Sequence, residues 1–323
     1  MAPWADCGGG TGVTQGHQLF ADELRVLATQ NCDPRLAMIA AAITAPLQVA
    51  VYGRRGVGRR TVAAALTAAG VNVAERPAGA EPDLAVYAVT EVVKPEDIAA
   101  LRAERRRPVL VVLNKSDLRG HHVEAVPVEP MSALFALAAL GEGLDERLWE
   151  ALRRVAAQPA DLCCAEQFVS APHPVSRADR ERLCATVDLT GVAALLDLAR
   201  RDATLGQARA RLRRLSGIDR IAARLEANGA AVYHRRMSEA LSRLEAMAVG
   251  DSRIDELLAR DTTVAARLDA ATAAIDPPDE PALARARRWQ AHRHAPLDAA
   301  HRACAADIAR GSLRAWAATR GRP

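Results

Sequence analysis

The chain has 323 residues, a mass of 34.4 kDa and a formal net charge of +4. That is room for one large domain or two ordinary ones, and the modest charge does not by itself point to nucleic acid or an anionic membrane. Half of the residues are hydrophobic and only 3% are aromatic, so Ala, Val and Leu must build the core, and the longest apolar stretch, Leu36 to Tyr52, is broken by Pro46 and Gln48 and reads as no membrane span.

In chain order, residues 1–17 are Gly-rich, with neither Lys nor Arg, and are expected to be disordered rather than a leader peptide. Residues 18–45 show the apolar positions of a leading helix at Leu19, Phe20, Leu24, Leu27, Leu36 and Ile39, interrupted near Asp33-Pro34. From Pro46 short apolar runs alternate with helical stretches, the pattern of a mostly parallel α/β sheet. Strands are expected at 47–52, 84–89, 109–113 and 123–128, with helices at 61–69 and 95–106 and others from about 131 and 144. After about residue 159 the strands stop. A Pro-containing linker at 168–174 leads into helices at 176–186, 191–201, 205–215, 218–228, 230–249, 253–275, 281–292 and 297–318. The reading is an α/β domain over 46–158 and an all-helical domain over 159–323.

Gly53-Arg-Arg-Gly56-Val-Gly58-Arg59-Arg60-Thr61 follows the first strand and opens the next helix. Gly53 and Gly58 have the GxxxxG spacing of a phosphate loop, where backbone N–H groups turn inward around an anion and a Cβ would block both the turn and the approach. Arg59 stands where a Lys normally reaches the phosphates, and Arg60 where a Ser or Thr normally ligates Mg²⁺. Arg59 can supply charge; Arg60 cannot bind a metal ion, which leaves Thr61 as the one candidate hydroxyl. Asn114-Lys115-Ser116-Asp117 lies at the C-terminal end of an apolar strand, where ligands bind in open α/β sheets. The Asp117 carboxylate can accept from guanine N1–H and its exocyclic amine. Asn114 can hold the loop and approach the base, and the Lys115 stem can lie over the ring. Ser132-Ala133, after the last strand, fits a small-residue loop whose backbone N–H meets guanine O6. Lys94 and Lys115 are the chain's only lysines, so composition alone would yield this tetrapeptide roughly once or twice in a thousand such sequences.

Together these residues resemble the translation-factor-related class of P-loop GTPases. The whole arrangement, with its helical C-terminal half, is similar to a divergent actinobacterial GTPase group distantly related to bacterial dynamin-like proteins. The segments Glu91–Asp97, Leu215–Asp219 and Ala306–Trp316 belong to that likeness. The resemblance implies GTP or GDP as ligand, and a switch acting on a protein partner. The sequence also departs from the pattern. Between Thr61 and Val93 there is no DxxG, and the other Thr residues are Thr67, inside a helix, and Thr90, after the strand. Phosphoryl transfer depends on positioning and on charge neutralisation by a metal, so binding is expected with weak or absent hydrolysis. The alternatives are a pseudo-GTPase scaffold acting through its helices, and a dynamin-like GTPase making peripheral membrane contact.

The remaining features have bland readings. Residues 200–243 carry eleven Arg against four acids but a single aromatic, Tyr233, and read as a solvated helix face rather than a nucleic-acid surface. His121-His122 and His292, His294 and His301 lack companion ligands at metal spacing. The six cysteines show no CxxC and read as reduced thiols of a cytoplasmic protein. Trp149, Trp289 and Trp316 read as packing anchors.

Overall fold

The computed structural model describes residues 13–74, 81–104, 107–118, 126–275, 277–292 and 299–320. Helices α1 (Val13–Asn31) and α2 (Pro34–Thr44) open the chain. Strand β1 (Val49–Tyr52), helix α3 (Arg59–Ala68), strand β2 (Leu84–Val89), helix α4 (Pro95–Ala103), and strands β3 (Val109–Asn114) and β4 (Glu129–Met131) follow. Helices then succeed one another: α5 (Ala133–Leu140), α6 (Glu146–Ala157), α7 (Ala165–Ser170), α8 (Arg177–Arg200), α9 (Leu205–Ser216), α10 (Ile218–Ala248), α11 (Ser252–Ala259), α12 (Asp261–Ile275), α13 (Ala282–His292) and α14 (Ala299–Arg320). The protein is α/β, with a four-stranded parallel sheet in the order β1-β2-β3-β4. No described helix is long and apolar enough to cross a membrane.

The chain forms two compact units, residues 47–225 and residues 1–46 with 226–323. The boundary expected near 159 is therefore displaced, and the reason is packing. A change from strand to helix pattern marks a change of local structure, whereas a domain boundary lies where apolar faces stop sharing a core. Leu183, Val187, Val192 and Leu195 of α8 and Leu212 of α9 are buried in one cluster with Phe135 of α5 and Leu148, Trp149 and Leu152 of α6. The Trp149 indole N–H is satisfied by the Ala203 carbonyl at 3.1 Å, so its large ring is buried without an orphaned donor.

In the other unit, Phe20 and Leu24 of α1 and Leu36, Ile39 and Ile43 of α2 pack with Leu241 and Leu244 of α10 and Ile254 and Leu257 of α11. The leading segment thus belongs with the C-terminal helices. It is two helices because Asp33 caps α2, accepting from the Arg35 N–H, with Pro34 at the first helical position. Residues 13–17, expected to be disordered, are the start of α1, and His17 is buried and stacks on Tyr233 at 4.8 Å. The rest of that N-terminal expectation lies outside the described residues.

Two features of the sheet depart from expectation. The last strand is 129–131, not 123–128: residues 126–128 precede it, and 123–125 lie outside the described residues. A short parallel bridge at Val73 was not foreseen. Asn72 O accepts from the Val49 N–H, and the Ala74 N–H donates to Val49 O, both at 2.9 Å. The chain thus leaves β1 for residues 72–74 on one side and returns to β2 on the other. The strands otherwise follow chain order, β1-β2-β3-β4, and in open α/β sheets ligands bind beyond the carboxyl ends of the strands.

Candidate functional site

The Gly53–Gly58 loop lies at the carboxyl end of β1, between β1 and α3. Gly53, Gly56 and Gly58 all have positive φ, at 137°, 90° and 82°. A Cβ on Gly53 would lie 2.4 Å from the Ala88 carbonyl oxygen of β2, and one on Gly58 would lie 2.5 Å from Asn114 Nδ2. Only glycine lets the chain turn this tightly between two strand ends.

Helix α3 starts at Arg59 with Gly58 as its cap residue, and no side chain caps it. Its first turn holds no acid, and it begins with two exposed arginines. This opposes the helix dipole, whose positive end is stabilised by anions; each cation placed there forfeits up to about 1 kcal/mol. Thr61 Oγ1 lies 4.0 Å from the Cβ position of Gly58, so its hydroxyl faces the loop.

Asn114 joins the separate motifs. Its side chain is buried, Nδ2 donating to the Val57 carbonyl at 2.9 Å and Oδ1 accepting from the Ala133 N–H at 3.1 Å. The glycine loop, the end of β3 and the start of α5 are thus tied by one amide. The next residue, Lys115, is exposed and has φ 61°, an uncommon conformation for a side-chain-bearing residue. The Ser116 N–H donates to Met131 O, which holds the turn against β4. Asp117 is half-buried and its Oδ2 accepts from the Thr190 hydroxyl at 3.1 Å.

Ser132 and Ala133 are present at this place, and both N–H groups already have partners. The Ser132 N–H donates to Ser216 O and the Ala133 N–H to Asn114 Oδ1. The Ser132 hydroxyl caps α5, accepting from the Phe135 N–H. Both backbone donors expected to meet a base are spent inside the protein, because the loop is stitched to β3 and to the α9–α10 turn.

Three groups of residues were given no site role from the sequence, although Asp97 and Ser216-Gly217 fall within the segments Glu91–Asp97 and Leu215–Asp219 of the resemblance. Asp97, in the first turn of α4, is fully buried and accepts from Arg54 Nε at 2.8 and 3.0 Å, from the Tyr87 hydroxyl at 3.0 Å and from the Lys94 N–H at 2.9 Å. Burial pushes its carboxyl up, but the Arg54 guanidinium, the Lys94 N–H and the Tyr87 hydroxyl together hold it below the usual carboxylate range. The same burial, with the bond to Asp97, raises the Tyr87 phenol. The local signal was an acidic pair just after Lys94-Pro95, a helix-start pattern that says nothing of a buried ion pair. The second group is Asp188 and Thr190. Asp188 kinks α8 (φ 57°, ψ 175°) between the two helices expected from the sequence, and so places Thr190 beneath Asp117. The third is Ser216-Gly217, where a Cβ on Gly217 would lie 2.6 Å from Pro130 O. Beside it Arg220 and Arg224 pair with Glu129.

The Arg-rich stretch is largely committed within the protein. Arg209 donates to Leu144 O, Arg213 pairs with Asp219, and Arg235 with Glu239. His121, His122 and His294 lie outside the described residues.

Removing the Thr190 hydroxyl tests its contact with Asp117. Thr190→Val should cost about 1 kcal/mol or less of stability in urea unfolding. No protein-family model matches this chain, and no curated protein matches it in sequence.

Proposed function

We propose that this chain binds a guanine nucleotide at the carboxyl end of β1, as a GTPase-like switch with weak or absent hydrolysis. The observation that carries the reading is the buried Asn114 amide, which joins the glycine loop to the strand end and to α5. A chain has no packing need to route three distant segments through one buried polar group, which must be fully satisfied to be tolerated. In this reading the loop N–H groups and Arg59 and Arg60 take the phosphates, and their charge offsets the unfavourable dipole arrangement. Asp117 accepts from the guanine edge and the Lys115 stem covers the ring. Guanine O6 faces the positive end of α5 rather than the Ser132 and Ala133 N–H groups. The left-handed Lys115 fits a residue held in place for contact rather than for chain economy.

Magnesium is a secondary participant at most. Thr61 offers one hydroxyl toward the loop, Arg60 offers repulsion, and Asp97 is committed to Arg54. Among the described residues no cluster of His, Cys, Asp or Glu forms a divalent-cation site, and no step of the reading runs through the ion.

The scaffold alternative has one observation in its favour: Asp117 already accepts from Thr190 and the Ser132-Ala133 donors are internally bonded. Calorimetry with GDP, GTP and ADP, each with Mg²⁺ and with EDTA, separates the two. Expected is a clear preference for GDP over ADP, a change on chelation below the roughly tenfold that 1.4 kcal/mol represents, and turnover no faster than about 10⁻⁴ per second. Asp117→Asn should weaken GDP binding and favour xanthine nucleotides. Equal affinity for ADP and GDP refutes guanine selectivity, and no binding of any nucleotide leaves the scaffold.

A further inference from the structure

The helical unit contains a polar chain that the nucleotide reading does not use. Cys304 Sγ lies 3.2 Å from His234 Nδ1, and His234 Nε2 lies 3.2 Å from Asp307 Oδ2. Asp307 Oδ1 in turn accepts from Arg267 at 3.0 and 2.8 Å. Cys304, His234 and Asp307 are all buried, at 5%, 3% and 5% exposure. A cavity of about 350 Å³ reaches this group, where His234 and Cys304 meet Ala231, Ala274, Ile275 and Ala303, with Arg235, Ser238 and His301 also on its wall.

The chemistry follows from the order of the partners. Arg267 donates to Asp307 Oδ1, and with His234 Nε2–H donating to Asp307 Oδ2 the imidazole presents Nδ1 to the thiol as an acceptor. The arrangement is a thiol, a base and an orienting carboxylate, the geometry that activates a nucleophilic cysteine. Acyl transfer does not fit. Cys304 is the sixth residue of α14 (Ala299–Arg320), past the first four whose N–H groups are left unbonded, so its own helix N–H is not among the donors an oxyanion would use. A reaction at sulfur alone does fit, and the stretch of wall formed by Ala231, Ala274, Ile275 and Ala303 gives an organic reagent apolar surface.

We propose that Cys304 is an oxidation site for small alkyl hydroperoxides, with His234 as its base and Asp307 as the positioning residue. His234 takes the thiol proton, and the thiolate attacks the distal, OH-bearing oxygen. The S–O bond forms as the O–O bond breaks. The leaving alkoxide takes the proton from His234 and departs as the alcohol. Sulfur is oxidised by two electrons to the sulfenic acid, and the peroxide is reduced. The added oxygen enters the cluster that Cys304 shares with Ala271, Trp289 and Ile308, so oxidation loosens the packing of α12 and α14. This inference is independent of nucleotide binding.

The test treats the full-length protein with cumene hydroperoxide and a sulfenic-acid trap, and follows each cysteine by peptide mass spectrometry. Cys304 should be trapped at least about tenfold faster in the folded protein than in the urea-unfolded chain, and faster than the exposed Cys32. His234→Asn should bring Cys304 to or below the Cys32 rate without altering Cys32. A Cys304 rate no higher in the folded than in the unfolded chain overturns the proposal, as does an unchanged rate in His234→Asn. Should that variant fail to fold, the folded-to-unfolded ratio of the parent decides alone. Faster reaction with hydrogen peroxide than with cumene hydroperoxide overturns the choice of an alkyl reagent.

Discussion

Asn114→Ala should destabilise the sheet unit by about 2–4 kcal/mol and lower GDP affinity at least about a hundredfold. The substitution removes both hydrogen bonds of the amide and leaves the Val57 carbonyl and the Ala133 N–H behind. Val57 and Ala133 are almost wholly buried, at 2% and 1% exposure, so each orphaned group bears most of its desolvation cost, about 1–3 kcal/mol. The loop then loses its tie to β3, and the phosphate and base contacts are no longer held in one geometry. Asn114→Asp is the informative control. It keeps an acceptor for the Ala133 N–H but sets a buried carboxylate oxygen against the Val57 carbonyl, so near neutral pH it should cost at least as much as Asn114→Ala. Urea unfolding followed by circular dichroism reads the stability, and calorimetry reads the affinity. An Asn114→Ala variant with parental stability would remove the amide from the centre of the site.

The glycine loop and the Asn114 turn were legible in the sequence because each is local. Three glycines at positive φ, and an Asn, Lys and Asp at a strand end, announce themselves within a few residues. Strands β1, β2 and β3 were legible for a similar reason, as continuous apolar runs suited to burial on both faces. What could not be read is the pairing of distant segments. The Val73 bridge consists of two backbone bonds and leaves no side-chain signature. The Ser132 N–H finds Ser216 across more than eighty residues, and Thr190 reaches Asp117 only because Asp188 kinks a helix. The internal bonds of the Ser132 and Ala133 N–H groups were likewise out of reach, since a motif names residue types but not which N–H groups the fold has already used. So was the unit boundary: Leu183, Leu195 and Leu212 are apolar on their helices wherever those helices dock.

Asp97→Ala is expected to cost on the order of 3 kcal/mol, the lower end of the range for breaking a buried ion pair, because Arg54 remains partly hydrated. Arg54 is 27% exposed while the Asp97 side chain is wholly buried. The carboxylate gathers Arg54 from the glycine loop, Tyr87 from β2 and the Lys94 N–H at the start of α4. Its loss frees the loop from the sheet, so GDP affinity should also fall several-fold. The dependence on pH gives a signature that a simple cavity would not. Asp97 titrates below its ordinary value when folded, so the unfolded chain binds the proton first. Its contribution is then fully present above the unfolded value, about 3.9, and is lost as pH falls through the lower folded value. Asp97→Asn has no proton to bind at this position. The stability gap between parent and Asp97→Asn, measured by urea unfolding from pH 7 downward, should stay constant to about pH 5 and narrow below about pH 4. A gap that widens on acidification would mean that burial prevails over Arg54 and that the folded carboxyl is protonated first.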